Sequence, residues 1–164
     1  MTISDPVILV DKQLGGEPAM SRDVRRQRDR EAGLTHVKIA PGEYYATAAL
    51  DEVLVTILGS CVAVCMRDPA IGVGGLNHYL LAESGSGDWG GSSGAATRYG
   101  NHAMEALTNA IVALGGVRNR LEAKVFGGAH VLDARLAVGR ENVEFAERYL
   151  AKEGISIAAK HVGD

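Results

Sequence analysis

Leu54-Val55-Thr56-Ile57-Leu58-Gly59-Ser60-Cys61-Val62-Ala63-Val64-Cys65-Met66-Arg67 is the stretch whose reading decides the fold. Val53, Leu54, Val55 and Ile57 precede Gly59-Ser60, and Val62, Val64 and Met66 follow it. These apolar and β-branched residues do not keep the 3.6-residue period of a helix. Gly59-Ser60 breaks the run at its middle. The segment therefore predicts two extended pieces joined by a tight elbow. That reading also separates the two cysteines of the chain, Cys61 and Cys65. Four residues of strand span roughly 13 Å, whereas a disulfide needs Cα atoms within about 7 Å. A zinc site is a poor fit as well, because no second close pair of ligands accompanies them.

Beyond the elbow, Asp68-Pro69 with Gly72 reads as a turn, and Val73 to Leu81 as a glycine-bearing strand. Ser84 to Thr97, rich in Gly and Ser around Trp89, reads as a long loop. Such loops are commonly functional lids or disordered segments. A helix is predicted from about Tyr99 to Leu114, with Ala103, Leu107, Ile111 and Leu114 on one face and Gly115-Gly116 as its stop. Leu121 to Phe126 reads as a strand closed by Gly127-Gly128-Ala129. A second helix is predicted from about Arg140 to Lys152, with Val143, Ala146 and Leu150 as its apolar stripe. A last strand begins at Ile155. Before the elbow, His36 to Ile39 and Gly42 to Ala46 read as short strands. Strands clustered ahead of two helices, with more between and after, predict a layered α/β or α+β domain in which helices cover a mixed sheet.

Residues 1–34 differ from the rest. Arg22, Arg25, Arg26, Arg28 and Arg30 mingle there with Asp23, Asp29 and Glu31. A run so charged buries little apolar surface, so we expect a solvated helix or a disordered extension ahead of a domain spanning 35–164. A length of 164 residues fits one domain. Aromatics are only 5%, so the core must rest on Val, Leu, Ile and Ala. A net charge of -3 gives no electrostatic case for nucleic acid or a membrane surface. The apolar runs are too short to span a bilayer, and the N-terminus does not read as a signal peptide. A cytoplasmic protein with reduced thiols is expected.

Cys61 is a candidate nucleophile. An elbow between strands exposes a side chain and leaves backbone N–H groups free for an oxyanion. The thiolate attacks, and a neighbouring imidazole is what raises its fraction at neutral pH. Residues alone leave Cys61 open between that role and a small buried hydrophobe. Cys65, inside an apolar run, reads as buried. His78 is the candidate base, because it stands in an otherwise apolar strand beside Asn77. It is equally readable as a satisfied core histidine. His102 and His130 suit surface or structural roles.

The ordered motifs resemble those of the CheD family, the chemoreceptor glutamine deamidases. They are Leu58 to Cys65 with Asp68-Pro69, Gly74 to Leu81, Arg98 to Met104, Leu121 to Ala129 and Gly139 to Val143, in family order. The resemblance covers about residues 35–164. It implies a three-layer α/β sandwich of mixed β-sheet with two main helices. It implies hydrolysis of receptor glutamine side chains to glutamate and ammonia, to which some members of the family add hydrolysis of glutamyl methyl esters. It places the catalytic cysteine on Cys61 and the histidine on His78. No cofactor or metal is expected. Implied partners are methyl-accepting chemoreceptors and a CheC-type phosphatase.

The family carries a catalytic threonine just before the elbow. Counted back from Cys61, that position holds Val55 here, and Thr56 is one residue off. A one-residue slip turns a strand side chain to the opposite face, so Thr56 serves only if the elbow shifts the register. The family also continues beyond Val162-Gly163, so either the sequence stops short of the domain's end or the domain lacks the last strands, which would expose a sheet edge. These two departures sustain an alternative, a binding module of the chemotaxis array that docks partners without turnover.

Overall fold

The computed structural model describes residues 9–11, 25–81, 93–129 and 136–163. The chain runs through strands β1 (Leu9–Asp11), β2 (Arg25–Asp29), β3 (Leu34–Lys38), β4 (Tyr44–Thr47), β5 (Glu52–Ile57), β6 (Val62–Asp68) and β7 (Val73–Tyr79). Helix α1 (Ser93–Ala113), a single 3-10 turn (Arg118–Arg120), β8 (Glu122–Gly127), α2 (Leu136–Lys152) and β9 (Ser156–Val162) follow. The two halves of the decisive segment are β5 and β6, and they lie in different sheets. One sheet has the order β1-β5-β3-β2, the other β4-β7-β6-β8-β9. Both are mixed: β5 runs parallel to β1 and β3, and β8 parallel to β9, while the remaining pairs are antiparallel.

Side-chain alternation along β6 explains the layering. Val62, Val64 and Met66 face the helices and pack with Met104, Leu107 and Ile111 of α1 and Phe145, Ala146 and Leu150 of α2. Ala63 and Cys65 face the other way and pack with Val37, Ile39, Leu54 and Leu58 of the first sheet. The result is a three-layer sandwich of sheet, sheet and helices. Each fully buried aliphatic side chain in these layers contributes roughly 1.5–3 kcal/mol. A buried amide ties the helical layer down. Asn77 of β7 accepts from the Val64 N–H and donates to the Ala103 carbonyl at 3.1 Å each.

Three expectations need correction. The arginine-rich segment is neither helical nor disordered over Arg25–Asp29; it is β2, paired antiparallel with β3. The ladder bonds are backbone bonds, so an edge strand needs no apolar side chains, and those of β2 point almost wholly to solvent. Arg28 bonds Thr35 at 2.9 Å and Asp51 at 2.6 Å, while Arg26 reaches Tyr45 and Glu52. A boundary at residue 34/35 therefore cuts the β2–β3 hairpin. The second correction is α1, which starts at Ser93 rather than Tyr99. Ala95 and Ala96, the strongest helix formers, outweigh the Gly and Ser around them. The third is Leu114, which is 45% exposed because the helix ends at Ala113. The buried stripe of α1 is Met104, Leu107, Thr108 and Ile111. Trp89 and His130 lie outside the described residues.

Candidate active site

The elbow is the point where the chain leaves one sheet for the other. Its backbone is held from the β8 side. The Ala129 N–H donates to the Gly59 carbonyl at 2.9 Å, and the Gly128 N–H to the Cys61 carbonyl at 2.8 Å. Gly127 has φ of 99°, and a Cβ there would overlap the Cys61 carbonyl oxygen. Only glycine meets both demands. From α2, the side-chain amide of Asn142 donates to the Ser60 carbonyl at 2.9 Å.

His78 stands in β7, directly opposite Ala63 of β6. Its backbone is fixed on the other side by Gly42 and Glu43, at 2.8 and 3.0 Å. Cys61 packs against the same inter-sheet cluster as Ala63, the ladder partner of His78, and so lies on the same face of the β6–β7 pair. That face is the one turned toward β5.

From β5 comes Thr56, 2% exposed, between Leu54 and Leu58 on the inward face. Its hydroxyl donates to the Ile39 carbonyl at 2.8 Å and sits 2.8 Å from His78 Nδ1. A hydroxyl has one proton. With that proton given to Ile39, the oxygen accepts from Nδ1–H. This fixes the tautomer and leaves Nε2 with a lone pair. Nε2 is buried and has no hydrogen-bond partner among the described residues. Burial lowers the His78 pKa to about 4, against the opposing pull of the Ile39 carbonyl, so the ring is neutral at pH 7. Val55, the position reached by counting back from Cys61, belongs to the opposite face of β5.

Cys61 is half-buried and, like Tyr45 and Phe126, packs against the inter-sheet core. Burial pushes its thiol pKa up, and its own backbone N–H pulls the other way. The resting pair is thus a neutral thiol and a neutral imidazole. Tyr99 of α1 is 40% exposed; burial raises its hydroxyl pKa, and the nearby Cys61 adds to the rise. Cys65 is buried and pushed up to about 12, so it is inert. His36 is half-buried, and His102 and His161 are exposed. Among the described residues no three His, Cys, Asp or Glu side chains gather as metal ligands would. No described helix is long and apolar enough to cross a membrane.

A family model described as CheD chemotactic sensory transduction matches residues 80–164. A protein of Rhodopseudomonas palustris (strain BisA53) is 50% identical over 150 residues, covering 89% of this chain and 70% of that one. The chain belongs to the CheD family. A relative from Halorhodospira halophila (strain DSM 244 / SL1) is 48% identical over 144 residues, and one from Caulobacter vibrioides (strain NA1000 / CB15N) 49% over 127. Each covers 66% of the relative, so the chain spans about two thirds of their length. All three relatives bear the name "Probable chemoreceptor glutamine deamidase CheD". The family model starts just beyond His78, whereas an alignment over 89% of the chain runs through Thr56, Cys61 and His78.

Sequence reasoning named Thr56 and His78, whose side chains lie 2.8 Å apart, and Cys61 at the elbow, and missed two contributors. The Ile39 carbonyl carries no side-chain signal at all. Asn142 carried one: it lies inside the Gly139 to Val143 motif, and a wholly buried asparagine on a helix needs polar partners.

Proposed function

We propose that this CheD-family chain hydrolyses the side-chain amide of chemoreceptor glutamines, in the cytoplasm, to glutamate and ammonia, with Cys61 as nucleophile. The names of its relatives support the substrate. One observation carries the mechanism: the Thr56 hydroxyl lies 2.8 Å from His78 Nδ1 while Nε2 is buried with no partner among the described residues. With Thr56 accepting from Nδ1–H, Nε2 keeps its lone pair. His78 Nε2 accepts the Cys61 proton as the sulfur adds to the amide carbon. The resulting oxyanion meets backbone N–H groups of the elbow. The imidazolium returns the proton to the departing nitrogen, which leaves as ammonia, and a thioester remains. Water, deprotonated by His78, adds to the thioester, and the sulfur departs as the thiol. The sum is one water consumed per amide cleaved. Glutamyl methyl esters present the same acyl carbon with methanol as leaving group, and the same steps serve them.

Thr56 replaces the acidic member of a Ser-His-Asp triad. A neutral hydroxyl orients the ring without stabilising its cationic form, so proton transfer depends on the thiolate–imidazolium pair itself. The binding-only alternative rests on valine at the counted threonine position and on the short C-terminus; the 2.8 Å contact between Thr56 and His78 Nδ1 supports turnover instead. Mass spectrometry of a receptor cytoplasmic fragment incubated with the chain should show deamidation at defined glutamines. Cys61→Ala should lower ammonia release at least about a thousandfold. Cys65→Ala should leave it within about twofold, because that thiol is buried away from the elbow. Undiminished release by Cys61→Ala would remove the mechanism.

A further inference from the structure

Three consecutive carbonyls of the elbow, those of Gly59, Ser60 and Cys61, all accept hydrogen bonds from one small region. Ala129 and Gly128 hold the outer two through backbone N–H groups, and Asn142 holds the middle one. That region is packed tightly on itself. A Cβ at Gly128 would lie 2.5 Å from Val143 Cγ2 and 2.9 Å from the Gly139 carbonyl oxygen, both on α2. In a regular strand successive carbonyls alternate in direction, so this run departs from strand geometry. In a planar trans peptide the C=O and N–H point opposite ways. Drawing the Gly59 and Ser60 carbonyls toward α2 therefore sends the Ser60 and Cys61 N–H groups to the other side. No described residue other than Cys61 itself takes either of them. Successive amides arranged in this way form a concavity for an anion.

Among the described residues, Asn142 is the only side chain in the brace. It is wholly buried, and both ends of its amide are used. Nδ2 donates to Ser60, and Oδ1 accepts the Leu81 N–H at 2.8 Å, just past the end of β7. Its own carbonyl accepts from the Tyr79 hydroxyl at 2.8 Å. One residue thus ties the peptide that bears the nucleophile to the strand that bears His78.

We infer that Asn142 is a positioning residue that sets the Ser60–Cys61 peptide so that the Cys61 N–H meets the oxyanion of the acyl-transfer step. The inference rests on the proposed deamidase reading and deepens it. Asn142 touches neither substrate nor sulfur; it acts through a peptide plane. Losing an oxyanion donor typically costs about 10²–10³-fold in rate, and a donor left in place but misaimed costs less.

The test is Asn142→Asp, which keeps the acceptor for Leu81 and removes the donor to Ser60. Three quantities are compared with the unaltered chain: kcat and KM for ammonia release from a receptor fragment, the iodoacetamide alkylation rate of Cys61, and the thermal midpoint. Alkylation requires the thiolate and forms no oxyanion. The expected result is kcat lower by about 10–100-fold, with KM and alkylation each within about threefold. A retained kcat overturns the inference. So does a parallel fall of kcat and alkylation, which marks a residue that merely holds the fold or the thiol. If Asn142→Asp does not fold, Asn142→Ser, whose shorter side chain spans to neither Ser60 nor Leu81, is judged by the same three quantities. No turnover by the unaltered chain would sink the deamidase reading itself, an outcome separate from either variant.

Discussion

Strand β6 is finished at each end by a buried polar cluster, and the two ends are finished differently. At its C-terminal end Asp68, with no solvent exposure, accepts from the Ala70 N–H at 3.0 Å, the Val117 N–H at 2.9 Å and the Arg120 guanidinium at 2.6 Å. Arg120 holds the carboxyl down at about 2. The carboxylate's acceptor positions are well used. At the N-terminal end the elbow carbonyls are engaged, but the Ser60 and Cys61 amides and His78 Nε2 have no partner in another described residue. Burial makes an unspent polar group costly. A cluster whose bonds are saturated holds structure, while one that keeps donors and a lone pair in reserve has them available for a substrate.

Three experiments sharpen or break this contrast. The largest effect is expected from Thr56→Val. It strips the acceptor from His78 Nδ1 and frees the ring to turn or change tautomer, so kcat should fall about a hundredfold. Thr56→Ser, which restores a hydroxyl, should recover most of it. Equal activity of the valine and serine variants would show that the Thr56–His78 bond is idle. Next comes Asp68→Ala at the saturated end. Arg120 and two backbone amides lose their acceptor, so the thermal midpoint should drop, yet kcat per folded molecule should stay within about twofold. A loss of kcat at an unchanged midpoint would erase the distinction between the ends.

The smallest effect concerns pH. His78 titrates at about 4 when folded, against an ordinary value of 6.5. Between these values the unfolded chain binds a proton that the folded one does not, so stability is complete above pH 6.5 and declines as pH falls toward 4. The decline amounts to at most roughly 3 kcal/mol. Asp68 loses its contribution lower down, as pH falls from 3.8 toward 2. Urea unfolding across this range should resolve two windows, and His78→Gln should flatten only the upper one. An unchanged upper slope in that variant would assign it to other groups.

Much of the candidate site was legible because its signals are local. Gly59-Ser60 in a β-branched run marks an elbow from a few neighbours alone, and a histidine in an apolar strand is conspicuous wherever the strand lies. The Thr56 question was not legible. Counting residues cannot tell which face of β5 meets β7 when the two strands sit in different sheets. Burial of Thr56 between Leu54 and Leu58 decides it. Strand β2 was hidden for the opposite reason: its side chains carry no apolar pattern, and its stability comes from backbone pairing with β3.

The sequence by itself determined the extended elbow, the separation of Cys61 from Cys65, the two helices and the candidate Cys–His pair. These depend on backbone preference and periodicity over a handful of residues. Only the tertiary structure decided that β5 and β6 part into separate sheets, that Thr56 rather than Val55 reaches His78, and that Asn142 braces Ser60 from 82 positions away. Such contacts are set by the packing of layers against one another, and two residues that far apart leave no shared period in the chain.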